Sequence, residues 1–287
     1  MKEYPVAHKN RRKVVNVVML SLTIVATLVV IAPLIWILVD VIQQGLPAIT
    51  PKFLSKLPTP VGVPGGGIVN SLLGSLMTIG LGILIAAPIG ILAGLYAAAR
   101  PDTSLGMVLR FSTDVISGVP SIVMGIFAYA LIVLPQRHFS AFAGGAVLSF
   151  IMLPIIIRTT EEMLKLVPAS LREASLALGA AEWKTSLSVV LPAALSGVIT
   201  GIMLAIARAA GEAAPMLFTA FGNPFMNADY NQPVATLPHT IFVYANSPYG
   251  DWHAKAWATA LVLIVLILVL NIIARLWIEA RARKLRG

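Results

Sequence analysis

One apolar run constrains this chain more than any other feature. It extends from Val14 to about Val41 and follows the basic cluster Lys9, Arg11, Arg12 and Lys13. A helix rises 1.5 Å per residue, so about 20 apolar residues cross the ~30 Å hydrocarbon core of a bilayer. The run is longer than the core of a signal peptide and no small-residue cleavage site follows a short core, so it reads as a retained span. Comparable runs recur, and six helices are expected near residues 14–42, 68–99, 106–134, 140–160, 192–220 and 255–278. Composition agrees. Only 11% of residues are charged and the mean hydropathy is +0.88, whereas a soluble domain carries about 25% charged residues. The chain is expected to be an all-α membrane protein.

The net charge of +9 would suggest nucleic acid in a soluble protein, but here the cations sit at span ends. With the N-terminus placed inside, sixteen Lys and Arg fall on inside segments and four (Lys52, Lys56, Arg137, Lys255) outside, with Arg208 left within the fifth span. That asymmetry puts both termini and residues 161–191 in the cytoplasm. There is no cysteine, and His8, His138, His239 and His253 form no i, i+4 pair, so neither a disulfide nor a metal centre is expected.

The linkers differ. Residues 43–67 are rich in Pro and Gly and cannot form a long helix, while 221–254 are polar and aromatic. Small residues recur every fourth position at Gly82, Ala86, Gly90 and Gly94 in the second span, and at Gly197, Gly201, Ala205, Ala209 and Ala213 in the fifth. Such faces let helix backbones approach closely, either inside the subunit or along a dimer seam. Pro88, Pro120, Pro154 and Pro215 lie in or at the ends of spans and can kink them.

The 161–191 segment is unusual because it is polar and helix-forming. Lys184-Thr185 superficially suggests a nucleotide-binding loop, but Trp183 and Leu178 stand where that loop needs glycines. Pro168 suits a first helical turn, and residues 168–178 place Leu171, Ala174 and Leu178 on one face. Gly179 terminates that helix and a second starts near Glu182, running toward Leu191-Pro192. The result is a two-helix elbow with an apolar stripe beside Arg172 and Glu173, suited to docking in another protein's groove or to lying on the membrane surface.

Glu173-Ala174-Ser175, three residues, Gly179, nine residues, then Val189-x-Leu191-Pro192 resembles the EAA loop of bacterial ABC importer permeases, with serine for alanine and valine for isoleucine. Residues 90–99, 114–129, 211–220 and 232–249 further resemble the PstA family of phosphate-transport permease subunits, although the acidic residue expected after the tyrosine in 90–99 is missing from Ala97–Ala99. The resemblance implies a type I ABC importer permease: six transmembrane helices in the bacterial inner membrane with a cytoplasmic coupling-helix loop. It divides the chain into residues 1–67 (tail, first span and external loop), a permease core at 68–280 with the EAA loop at 161–192, and a basic tail at 281–287. It implies ATPase docking through Leu171, Glu173, Ala174, Leu178, Gly179 and Pro192. It also implies partners: a PstC-type permease, two PstB-type ATPases and a PstS-type external phosphate-binding protein. The chain itself is expected to be no enzyme and to bind no cofactor, with ATP and Mg used by the ATPase.

Arg208 and Glu212 are charges deep in the fifth span. Each costs about 2.5–3.5 kcal/mol at a helix centre, which makes them functional candidates by default. Arg208 can fork onto oxyanion oxygens, and Glu212 would offset its charge so that the anion is attracted but released. The resemblance links an arginine in this position to phosphate transport. The plain alternative is a self-neutralising i, i+4 pair, although Arg before Glu is the poorer order along a helix. Asp114, about a turn from Arg110, suggests an interfacial ion pair or helix contact. Asp229, Tyr230, Tyr249, Asp251 and Trp252 are either an interfacial belt or, following the resemblance, a face toward the binding protein. Other oxyanions (phosphonate, sulfate, molybdate) remain alternative cargoes and an ion-coupled carrier a further alternative; enzyme motifs are lacking.

Overall fold

The computed structural model describes the backbone of residues 6–286 and the side chains of residues 12–276 and 280. The basic residues up to Arg11 and the tail at 281–287 lie outside the described side chains. In chain order the helices are α1 (Val6–Gly45), α2 (Pro51–Ser55), α3 (Val69–Ala99), α4 (Ser104–Gly118), α5 (Ser121–Ala128), α6 (Ala141–Lys165), α7 (Ala169–Ala177), α8 (Glu182–Thr185), α9 (Leu191–Ala210), α10 (Ala214–Thr219), α11 (Leu237–Ala245) and α12 (Gly250–Arg286). A π-helical turn, Tyr129–Val133, continues α5 into Leu134–Gln136, and another, Ser186–Val190, joins α8 to α9. Among the described residues, five segments are long and apolar enough to cross a bilayer, and the bent pair α4–α5, taken as one span, makes a sixth. The only pairing in extended backbone among the described residues is an isolated bridge between Phe221 and Val234.

Helix α6 is the axis of the subunit, buried along most of its length from Ala141 to Leu164. Both small-residue faces read from the sequence pack against it. A Cβ on Gly90 or Gly94 would strike Ile156 or Thr160, and one on Gly197 or Gly201 would strike Met163 or Thr159. These faces are therefore internal contacts of the subunit, with Ala86 and Ala205 fully buried between them. Gly201→Val is expected to lower the thermal midpoint of the purified protein. Its Cβ would lie 2.1 Å from Thr159 Oγ1 and 2.5 Å from Thr159 Cβ, and overpacking costs about 1–3 kcal/mol. Gly80→Val, with nothing within 4 Å of its Cβ, is the control; equal midpoints for the two variants would refute the contact.

Two expected spans are not continuous helices. The helix read over 106–134 breaks after Gly118, and its halves meet at 104°. Pro120 offers no N–H and drives Val119 into extended backbone (φ −78°, ψ 129°), so α4 cannot continue. The helix read over 192–220 ends at Ala210; Gly211 leaves the helical path, and α10 restarts at Ala214 with Pro215 in its first turn. Ala213, assigned to the small-residue face, thus lies beyond α9. Pro88 and Pro154 sit inside α3 and α6, the first exposed and the second buried. The 43–67 linker holds only α2 and a short 3-10 turn, while the 221–254 linker encloses α11.

Helix α1 stands apart. No residue of its apolar window is buried within the chain. Contact begins only near its C-terminus, where Val41 is buried and Gly45 lies against the Trp257 carbonyl of α12.

Candidate functional site

The break between α4 and α5 creates a small cavity of ≈ 180 Å³ in the membrane-spanning part of the chain, and Arg208 lines it. That volume exceeds the ~30 Å³ share of one water several-fold, room for a tetrahedral oxyanion. Ser117 and Ser121, one on each side of the break, also line it, with Met124, Ile151 and Pro154 as apolar walls. The Ser117 hydroxyl donates to the Thr113 carbonyl at 2.8 Å and keeps its oxygen lone pairs. Helix α5 opens at Ser121, so its first N–H groups carry the partial positive charge of a helix start. A guanidinium, two hydroxyls and a helix N-terminus thus surround one cavity. The sequence marked Arg208 and Pro120 separately; Ser117 and Ser121 were missed. The signal was the S-G-V-P-S string at 117–121, in which a pre-proline break sets a hydroxyl on each half-helix.

Arg208 and Glu212 do form an ion pair, with Nη1 donating to Oε1. Their environments are opposite: the Arg208 side chain is 58% exposed, and that of Glu212 only 7%. Glu212 is not inside a helix, as the continuous-span reading had it. It occupies the gap between α9 and α10, its N–H bonded to the Ala209 carbonyl at 3.1 Å. Past the helix end the carboxylate turns back toward Arg208, which removes the penalty expected for this residue order on a regular helix. Ser75, Thr78 and Thr236 line a small recess with it, among apolar side chains that include Ile79, Leu148 and Met216. Glu212 is anchored, and Arg208 is tethered to it while reaching the cavity.

Asp114 does form an ion pair, but not with Arg110. Its carboxylate accepts from Arg158 of α6 at 2.8 Å. Arg110 instead reaches Glu161 at 2.7 Å and donates to the carbonyls of Ala97 and Pro101. Glu161, 3% exposed, also holds Lys165 at 2.6 Å. This buried carboxylate therefore ties α3, α4 and α6 together at one membrane face. Sequence reasoning missed it, although Arg158, Glu161, Glu162 and Lys165 stand at helical spacing.

The elbow has the expected shape, with one shift: α7 begins at Ala169, and Pro168 caps it from outside. Gly179 takes φ +82°, the left-handed conformation that ends a helix. Leu171, Glu173, Ala174 and Leu178 are all exposed, Leu178 to 89%. Ser175 faces inward, its hydroxyl 2.9 Å from that of buried Thr185. The departure from alanine thus pins α7 to α8, and Thr185, half of the false nucleotide signature, is used inside the elbow. Pro192 belongs to α9, beyond the π-turn, apart from the α7 stripe. Its missing N–H accounts for that turn, since Leu191 N–H bonds back five residues to Ser186.

A larger cavity, ≈ 580 Å³, lies elsewhere, between the 43–67 segment and α11. His239, Tyr244 and Trp252 line it, and the Tyr244 and Trp252 rings pack at a 44° tilt with centroids 4.7 Å apart. Tyr230 and Tyr249 are exposed, Asp229 caps the Asn231 N–H, and Asp251 pairs with Lys255. Burial lowers the His239 pKa below its ordinary 6.5. A depressed folded-state value gives stability that is full above pH 6.5 and lost as the pH falls through the folded value. The thermal midpoint is therefore expected to drop on going from pH 7.5 to 5.5, and His239→Gln to flatten that drop. An unchanged slope would show that another group carries it.

Residues 90–286 match the family described as binding-protein-dependent transport system inner membrane component. Among relatives, the phosphate transport system permease protein PstA of Haemophilus influenzae is 42% identical, with 93% of this chain and 95% of that protein covered. The PstA of Yersinia pestis is 44% identical over 84% of this chain and 82% of its own length. In structure, a chain of the MetNI methionine ABC transporter in an inward-facing conformation matches with a TM-score of 0.60, covering 75% of this chain and 94% of its own; at 19% identity this is likeness of fold.

Proposed function

This chain belongs to the binding-protein-dependent transport system inner membrane component family, and on that premise we propose that it is the membrane-spanning permease subunit of an ATP-driven importer of inorganic phosphate. The observation that carries the cargo assignment is Arg208 lining the cavity at the α4–α5 break, beside the Ser117 and Ser121 hydroxyls. Phosphate offers oxygens that accept from a guanidinium and a hydroxyl that donates to a serine oxygen, so it can use all three groups. The permease supplies no catalytic group. ATP and Mg act in a partner ATPase, and both chain termini face the cytoplasm with the elbow.

The fold supports one route from ATP to anion. Residues Glu182–Ala210 form one membrane-spanning helical segment. From Glu182 to Arg208 it spans about 39 Å at 1.5 Å per residue. An ATPase that grips α7 and tilts the elbow would move Arg208 through this rod, changing the cavity on the α4–α5 side. Glu212 limits how tightly the anion is held, because phosphate must compete with a carboxylate already paired to the guanidinium. Release then needs no new charge, only the return of the pair. The partners that fit are a PstC-type permease, two PstB-type ATPases and a PstS-type binding protein meeting the external face around α11.

The test is labelled phosphate uptake by proteoliposomes holding the assembled complex. Uptake that requires ATP on the elbow side and is not displaced by sulfate is expected. Sulfate uptake instead would keep the permease and replace the cargo. Phosphate uptake driven by an ion gradient alone would overturn the ATP-coupled reading.

A further inference from the structure

At the elbow end of the membrane-spanning region, α3 and the α7–α8 elbow enclose a groove of ≈ 420 Å³. Leu92, Leu95 and Leu187 give it apolar lining, and Arg100, Arg172, Glu182 and Trp183 give it charged and aromatic lining. Arg100 pairs with Glu182 at 3.3 Å. Arg172 is half-buried and has no ion pair among the described residues, so the groove keeps an excess of one positive charge. Trp183 is 69% exposed, which is costly in water but favourable at a headgroup boundary.

The groove also continues a lipid-facing surface. Leu84, Pro88 and Leu92 are exposed on α3 at intervals of four residues, and the next position is Tyr96, a lining residue of the groove. A chain lying along that stripe would reach the arginines at its polar end. Apolar side chains continuous with that stripe, cationic donors and an indole in one groove match an amphipathic anion.

We propose that this groove binds one anionic phospholipid, with an acyl chain along Leu92, Leu95 and Leu187 and the headgroup phosphate paired with Arg172 and Arg100. The site is separate from the transport cavity: Trp183 precedes Arg208 by about 38 Å of helix. The lipid would brace α7–α8 against α3 and so set the angle at which the elbow meets its partner. The proposal rests on the bilayer placement of the chain and not on which cargo it moves. One net charge near an anionic surface corresponds to a preference of roughly fivefold over a zwitterionic lipid.

Brominated lipids report this directly, because bromine quenches nearby tryptophan. The assembled importer is placed in nanodiscs, which expose both faces, with brominated phosphatidylglycerol or brominated phosphatidylcholine at equal mole fraction. The Trp183 component is obtained by subtracting the Trp183→Phe complex. Quenching of that component is expected to be stronger with phosphatidylglycerol, unchanged by excess inorganic phosphate, abolished as a difference in R100Q/R172Q and kept in R100K/R172K. Equal quenching by the two lipids in the wild type would overturn the proposal whether or not the variants fold. Loss of the difference on adding inorganic phosphate would assign the groove to free phosphate. A difference that survives R100Q/R172Q would refute the arginine pairing. Phosphate uptake can fail in all these samples without altering the lipid readout.

Discussion

Arg208→Gln is expected to reduce phosphate uptake by about 10- to 100-fold while the complex still assembles. Hydrogen bonds to a charged group contribute about 1.5–3 kcal/mol each way they are counted, which corresponds to that range. Glutamine keeps one donor and loses both the charge and the fork. The substitution has a second consequence. It strands Glu212, which is 7% exposed and loses its only ion-pair partner among the described residues. A buried carboxylate without a partner destabilises or takes up a proton. Arg208→Gln alone therefore confounds transport with stability, and the double variant Arg208→Gln/Glu212→Gln separates them. It is expected to recover the thermal midpoint and not the uptake. Arg208→Lys should keep part of the uptake, because a point charge remains without bidentate geometry. Uptake by the double variant equal to wild type would remove Arg208 from the translocation path and leave a structural pair.

How legible this site was depends on the residue. Arg208 announced itself because a charge in a span is expensive, whatever its partners. Ser117 and Ser121 did not, since hydroxyls are common in membrane helices; they matter only because the chain turns by 104° between them. Pro120 signalled a break but not its angle, which is set by packing: Gly125 of α5 lies against Pro215 of α10. The partner of Asp114 was not legible for a related reason. Arg110 is near in sequence and competes locally, yet Glu161 across the helix interface draws it away, leaving Asp114 to Arg158. Local spacing carries no information about which of two acids a third helix will present. The elbow was legible almost entirely, because Pro168, Gly179 and the apolar spacing act within a dozen residues. Its inward Ser175–Thr185 contact needed the fold, as did the finding that both small-residue faces meet α6.

Leu178→Glu is expected to abolish uptake and the recovery of the ATPase with the permease, while leaving the chain's own stability unchanged. Leu178 is 89% exposed at the tip of the elbow, so nothing within the subunit depends on its side chain. A water-facing leucine just past the end of α7, two turns along from exposed Leu171, is accounted for if a partner buries it. A charge forced into such a contact removes apolar burial and desolvates a carboxylate. Central interface residues commonly cost 2 kcal/mol or more, about 30-fold in affinity. Ser175→Ala supplies the opposite pattern. It deletes the hydroxyl bridge to Thr185 and should lower stability by about 1 kcal/mol, with the docking surface intact. Affinity capture of the ATPase on tagged permease, read beside thermal midpoints, distinguishes the two. If Leu178→Glu retains the ATPase at wild-type levels, the elbow lies on the membrane surface rather than in a partner's groove. The lever from Glu182 to Arg208 would then have no hand upon it, and ATP coupling would have to enter through another face of the chain.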